Sequence, residues 1–307
     1  MKGIDVSADN HVEWETAKKG GLEFAMLRCG YGKDLASQDD PTFSGNVSEC
    51  EKLDVPWGMY LYSYALNTED AKSELAHILR LIKDRKPLFP VVLDMEDADG
   101  YKEKHGMPSR RVLTDIIKTV CDGLKKAGYL AGYYVNKSWH DHMIYPDELK
   151  EYEFWYARPG YKKPDLDCGL WQNNIPATGG EWPGVTTGGE NECDTDVSFK
   201  DYPQIVRDEG LNNWPKTNPV AIDTTMDVTK MRGQWYGVKC TAEDPAKIEL
   251  YPGTPNIVTV IPVKREGDSQ FFLVVPIGQP GQSTGIWTRY GGDEETAQRR
   301  FVFKIGQ

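Results

Sequence analysis

The sequence predicts an α/β fold: a barrel of parallel strands followed by a small all-β domain. Three observations lead there. Through the first two hundred residues, short β-branched or aromatic runs alternate with amphipathic helical stretches, as parallel strands joined by helical crossovers do. Acidic residues recur at the ends of several of those runs. Beyond residue 219 the helical period is lost, and short β-prone runs separated by Pro, Gly and Asp take over.

Taken in order, strands are expected at Lys2–Val6, Phe24–Arg28, Gly58–Ser63, Phe89–Asp94, Leu130–Val135, Phe154–Ala157, Gly169–Gln172 and Cys193–Val197. That number favours closure into a barrel. Helices are expected near 12–20, 40–53, 68–85 and 109–127. The third opens on Asn67 with Glu69 and Asp70 in its first turn, a capping residue followed by acids. Its apolar positions Leu75, Ile78, Leu79 and Ile82 keep helical spacing. The fourth carries Val112, Ile116, Ile117, Val120 and Leu124 on one face and meets Gly128 at its end. After Val135 the strands crowd together with little room for full helices. Asp97–Pro108 reads as a charged, Gly-containing loop, and Pro176–Gly189 as an irregular one.

The domains expected are a barrel over 1–210, a linker over 211–219 and an all-β accessory domain over 220–307, either a sandwich or an SH3-like barrel. Six strands are expected in the latter. Its aromatic residues Trp235, Tyr236, Tyr251, Trp287 and Tyr290 either line a glycan- or peptide-binding face or fill the small core.

Charge narrows the partners. The net charge is −11. Residues 216–307 hold 11 Lys plus Arg against 10 Asp plus Glu, a net of +1, which leaves −12 for the rest. An acidic main domain argues against nucleic acid, whose binding needs a basic face. No run of apolar residues is long enough to span a membrane. The six cysteines form no C-x-x-C pair and are expected as buried free thiols. His140-Asp141-His142 lacks a third ligand, so no metal and no other cofactor is expected.

The chemistry concentrates at Asp94-Met95-Glu96, which ends the run Leu88–Leu93. Residues two apart on a strand share a face, so both carboxylates emerge together. Glycoside hydrolysis needs such a pair: one protonated acid for the leaving oxygen, and one carboxylate to attack or stabilise the sugar carbon. Asp5 lies near the end of the first strand, and Asp194 and Asp196 lie on the last. Three strands ending in acids suggest a carboxylate cluster at one rim of a parallel barrel, the rim that carries catalytic groups. Crowding then raises the proton affinity of its members.

The matching segments run in order: Gly3–Ser7, Gly58–Ser63, Val92–Glu96, Gly132–Asn136, Phe154–Ala157, Leu170–Gln172 and Cys193–Asp196. In them the first two thirds of the chain resembles the glycoside hydrolase family 25 muramidases, the Chalaropsis-type lysozymes of bacteria and phages. The resemblance implies the (β/α)5(β)3 variant of the TIM-like barrel. It implies a lysozyme that cuts the peptidoglycan glycan strand after N-acetylmuramic acid. Glu96 matches the family's proton donor and Asp94 its partner carboxylate, while Asp5 and Asp194 match the two remaining rim acids. Asp196 sits where the family has Asn or Asp. Tyr60, Tyr62, Tyr134, Trp155 and Trp171, at or near strand ends, are candidates for sugar contacts.

Two other readings compete. A cell-wall-binding protein on a dead barrel would have lost one of these acids. A chitinase-like glycosidase would carry the repeat D-x-x-D-x-D-x-E, of which only the last two acids are present. The implied partner is bacterial peptidoglycan and the implied place of action the cell wall. Met1-Lys2 leads directly into the first strand without an apolar leader. That fits a secreted form with its signal removed or a phage endolysin released through a holin.

Overall fold

The computed structural model describes residues 1–307, which divide into two compact units, Met1–Trp214 and Pro215–Gln307. In the first unit eight strands close into a barrel. They are β1 (Lys2–Val6), β2 (Phe24–Tyr31), β3 (Trp57–Tyr62), β4 (Val91–Asp94), β5 (Ala131–Asn136), β6 (Glu153–Ala157), β7 (Leu170–Asn174) and β8 (Asp194–Ser198).

Neighbours among β1 to β7 are parallel. β8 is antiparallel to both β7 and β1, which corrects the expectation of a wholly parallel barrel. A parallel partner needs a crossover that carries the chain back to the opposite end. The segment between β7 and β8 contains no α-helix. It stays at the rim where β7 ends, and its stretch Val185–Thr187 pairs with Asn10–Val12 just beyond β1. β8 therefore starts at that rim. The loop expected over Pro176–Gly189 thus contains a short strand.

The helices are α1 (Trp14–Lys19), α2 (Phe43–Lys52), α3 (Thr68–Ile82), α4 (Tyr101–Lys104), α5 (Arg110–Lys126), α6 (Lys137–His142) and α7 (Tyr202–Glu209). The Asn67 side chain caps α3 by accepting from Glu69 N at 2.9 Å and Asp70 N at 3.0 Å. The inner face of α3 also buries Glu74 and His77, which its apolar spacing did not announce. The single turn α4 sits inside the stretch expected as a loop over Asp97–Pro108.

Strand alternation sorts the side chains. Ile4, Leu27, Met59, Leu61, Val91, Leu93 and Val135 face outward into the core shared with the helices. Phe24, Met26, Tyr60, Phe89, Val92, Tyr134, Trp155 and Leu170 pack inside the barrel. Two inward glycines make room for them. A Cβ on Gly3 would stand 2.6 Å from the Phe24 ring, and one on Gly58 2.7 Å from Met26 Sδ. Rings therefore plug the lower barrel, as close packing of an interior requires.

The N-terminal ends of the strands are sealed by a residue expected in the linker. Asn212 is fully buried with φ of 54°, a left-handed conformation that Asn tolerates better than most residues. Its Oδ1 accepts from Leu130 N at 2.8 Å, and its Nδ2 donates to Pro87 O at 3.1 Å and Phe89 O at 3.0 Å. Residues 211–214 thus belong to the barrel, and the linker is shorter than expected. Asn212→Ala would orphan those buried groups and is expected to cost about 2–3 kcal/mol. Thermal melting of the variant checks this; an unchanged midpoint would mean water replaces the amide.

The second unit is a sandwich of two four-stranded sheets. One contains Ala221–Ile222, Tyr236–Thr241, Ser269–Pro276 and Val258–Glu266; the other Val228–Lys230, Asp293–Ile305, Ser283–Tyr290 and Ile248–Pro252. Val238, Cys240, Leu250, Phe272, Val274, Ile286 and Phe303 fill the space between them. Two strands beyond the six expected are the short pieces Ala221–Ile222 and Val228–Lys230. All six cysteines of the chain are buried and unpaired.

Candidate active site

The inward alternation that builds the barrel core also delivers polar groups to its open rim. Asp5 comes from β1, Arg28 from β2, Tyr60 and Tyr62 from β3, and Asp94 from β4, with Glu96 just past it. Tyr134 comes from β5, Trp155 from β6, Gln172 from β7 and Asp194 from β8. These ten side chains line one cavity of about 190 Å3. The reversal of β8 makes the cluster possible. Asp194 is the first residue of its strand and pairs in register with Asp5 near the end of β1. A larger hollow of about 600 Å3 lies at the other end of the barrel, near Trp57, Leu88, Pro203 and Trp214; it receives none of the inward strand-end acids.

Hydrogen bonds hold the cluster in place. Gln172 Nε2 donates to Asp5 Oδ2 at 3.0 Å and to Asp194 Oδ2 at 3.1 Å. Gln172 Oε1 accepts from the Tyr134 hydroxyl at 2.9 Å. Trp155 Nε1 donates to Asp196 Oδ1 at 2.8 Å. Asp94 is 5% exposed, and its buried Oδ1 has no hydrogen-bond partner. An unsatisfied acceptor in so dry a place is costly unless a ligand completes it.

The electrostatics follow from burial first and crowding second. Burial, reinforced by the Glu96 charge, pushes the Asp94 carboxyl well above its usual range. Burial also raises Glu96, with Asp99 and Asp97 adding repulsion. Asp5 is raised by burial and by Asp196. Burial and the charges of Asp5 and Glu96 push Asp194 up to about 8, and burial pushes Asp196 up to about 7. Burial and nearby acids keep the Tyr60 and Tyr134 phenols protonated as donors. The rim can thus hold protons near neutral pH, as a general acid requires.

The sequence profile of Glycosyl hydrolases family 25 matches residues 4–175. The chain belongs to this family. No curated protein matches it. Among solved structures, the modular autolysin LytC from Streptococcus pneumoniae is 24% identical with a TM-score of 0.55, over 64% of this chain. This chain spans 46% of that autolysin. A family 25 glycosyl hydrolase from Bacillus anthracis is 19% identical with a TM-score of 0.54, over 70% of this chain and 93% of the other. The spore cortex lytic enzyme SleM of Clostridium perfringens is 15% identical with a TM-score of 0.57, over 99% of this chain and 97% of the other. At such identities these are likenesses of fold.

The family 25 barrel brings together eight of the ten residues singled out from sequence: Asp5, Tyr60, Tyr62, Asp94, Glu96, Tyr134, Trp155 and Asp194. Asp196 lies outside the cavity lining, 1% exposed and held by Trp155. Trp171 is the correction. Between the inward residues Leu170 and Gln172 it points outward, where it stacks on Phe199 with centroids 6.4 Å apart and donates from Nε1 to Arg158 O at 3.1 Å. A neighbour of one strand parity cannot share the face of the other.

Three contributors escaped the sequence reading. Arg28 continues the inward series after Phe24 and Met26, and its Nε donates to Asp40 Oδ2 at 2.8 Å. Gln172 was legible by parity with Leu170. Lys102 left no signal. It is fully buried, and its Nζ donates to Ser63 O and, at 2.8 Å, to Glu96 O. Asp97 holds that turn by accepting from Lys102 N at 2.7 Å and Glu103 N at 3.0 Å. The ammonium opposes the rise at both Asp94 and Glu96. Behind it, burial pushes Glu74 up to about 7, while Glu74 accepts from Ser63 Oγ at 2.8 Å and Tyr64 N at 2.7 Å.

Proposed function

We propose that the chain is a peptidoglycan hydrolase, an N-acetylmuramidase that cleaves the β-1,4 bond between N-acetylmuramic acid and N-acetylglucosamine. The observation that carries this reading is the pair Asp94 and Glu96 in one rim cavity, both with raised proton affinity. LytC, one of the similar structures, has been determined in complex with a synthetic peptidoglycan ligand, which supports the substrate class.

Glu96 is the more exposed of the two acids and is assigned as general acid: it gives its proton to the glycosidic oxygen as the C1–O bond breaks. Asp94 is assigned to the substrate's 2-acetamido group. Its unpartnered Oδ1 is an acceptor for the amide N–H, which aims the acetamido oxygen at C1. The resulting oxazolinium is opened by a water whose proton passes back to Glu96, so the sugar keeps its configuration. Asp5 and Asp194, joined through Gln172, hold a proton at the far side of the cavity. Tyr62, Tyr134, Tyr60 and Trp155 supply ring faces and hydroxyls to the sugars. Asp196 is assigned to holding Trp155.

Digestion of purified peptidoglycan with mass analysis of the new reducing ends tests the specificity. Muramic acid at those ends is the expected result. Glucosamine there would make the protein a glucosaminidase, and the absence of cleavage across several wall types would move it to the wall-binding class.

Lys102 provides a second test. Lys102→Met keeps bulk but removes the cation beside the pair, so Asp94 and Glu96 bind protons more tightly. Both limbs of the pH–rate profile are expected to move to higher pH, and Lys102→Arg is expected to restore them. Limbs that stay put in the Met variant would show that the ammonium does not act on the pair.

A further inference from the structure

The second unit carries an arrangement that its packing does not use. Along Ser283–Tyr290, Thr284, Ile286 and Thr288 are buried, while Gly285, Trp287 and Arg289 alternate with them on the outer face. Gly285 sits beside Gly253, just past the end of the neighbouring strand Ile248–Pro252, and the Gly253 N–H donates to Gly285 O at 2.8 Å. A Cβ on Gly253 would lie 2.7 Å from Trp287 Nε1, and one on Gly285 would lie 3.0 Å from the same atom. The indole therefore leans along the sheet over bare backbone instead of standing up from it. Side chains at those two glycines would push it away. No aromatic ring or cation covers Trp287, which is half-buried.

The charge beside this ring is also unused. Arg299 is the cross-strand partner of Trp287, and its stem lies against Gly285, with Cδ 3.0 Å from where a Cβ would stand. Its neighbours are engaged: Arg289 pairs with Glu249 and Glu294, and Arg300 donates to Val220 O at 2.6 Å. Arg299 is exposed and makes no ion pair or hydrogen bond. A flat ring suits the apolar face of a sugar, and a free guanidinium beside it suits a carboxylate. The near-neutral unit could also approach an anionic polymer that the acidic barrel would repel.

We infer that this face binds a muropeptide unit of the cell wall, with Trp287 stacked on an N-acetylated sugar and Arg299 paired with a carboxylate of the peptide stem. The inference rests on the peptidoglycan reading of the barrel and extends it to a second contact with the same polymer. Gly253 and Gly285 keep the ring in its receptive pose.

The test is co-sedimentation of the full chain carrying Glu96→Gln, so that the wall stays intact, with purified peptide-bearing sacculi and with chitin as the neutral glycan. Binding to sacculi is expected to weaken at least about tenfold on adding Trp287→Ala. Arg299→Gln is expected to weaken it severalfold and to reduce its salt dependence. Gly285→Ala, which lifts the ring without removing it, is expected to weaken binding, and Trp287→Tyr to restore part of it. Chitin is expected to bind more weakly and to be indifferent to Arg299→Gln. Sacculus binding unchanged by Trp287→Ala and Arg299→Gln overturns the inference. Hydrolysis of short soluble glycan fragments by the otherwise wild-type chain separates the two readings. If Trp287→Ala leaves both it and sacculus binding intact, only this inference falls; if wild type binds through Trp287 yet cuts nothing, the hydrolase reading falls and the platform stands.

Discussion

Glu96→Gln is expected to lower glycan hydrolysis by about 10²–10⁴-fold, the range that a positioned general acid contributes. The amide keeps the size and the hydrogen-bonding reach of the acid but has no proton to give. Glu96 is half-buried and lies beyond the last residue of β4, so the change should leave the barrel's melting temperature unchanged or slightly higher, because one charge leaves a crowded acidic site. The diagnostic comparison uses two substrates. One has the natural sugar leaving group; the other has an activated phenol that departs without protonation. Loss on the first with much smaller loss on the second would identify Glu96 as the acid. Equal loss on both would assign it another role, and full activity on the natural glycan would sink the mechanism.

Asp194→Asn is expected to stabilise the protein above neutrality while lowering its activity. Burial and the charges of Asp5 and Glu96 hold the Asp194 carboxyl at about 8, against 3.8 for an unconstrained one. The folded state therefore binds a proton that the unfolded chain has released, and this group's contribution to stability is fully present below about pH 4 and fades as pH rises towards 8. Above pH 8 the folded protein must carry a buried charge among other acids. The amide removes that penalty while still able to accept from Gln172 Nε2. The gain is expected to be up to several kcal/mol above pH 8 and close to zero at pH 4, at about 2–4 °C of melting temperature per kcal/mol in a unit of this size. Melting curves across that range decide it. A variant that melts below wild type at pH 8.5 would mean that the acid is held by bonds worth more than the repulsion. Stabilisation bought at the expense of activity is the usual behaviour of groups kept for function.

Much of the barrel was legible because alternation is a local property. Each of the eight strands overlaps an expected one, helices α1 and α2 fall within expected stretches, and α3 and α5 fall where periodicity and caps put them. Asp5, Asp94 and Glu96 were legible for the same reason, since they stand at or just past the end of a short apolar run, whereas Asp194 opens its strand. The misses have particular causes. Trp171 is near a strand end, yet its position between the inward Leu170 and Gln172 turns it away from the rim. The extra strands of the sandwich are two or three residues long, too short for any period to register. Asn212 looked like linker because Asn, Pro and Trp in series read as punctuation, whereas its side chain supplies the bonds that the barrel floor lacks.

By itself, the sequence determined which residues alternate inward, which strands end in acids and where the helical period stops, because those are consequences of spacing along the chain. Only the tertiary structure decided that β8 runs backwards and so lays Asp194 against Asp5, that Lys102 reaches under Glu96, and that Trp287 lies down over two glycines. Each depends on how segments distant in the chain meet. Strand direction, the reach of a buried cation and the room above a glycine are set by packing, which no local pattern records.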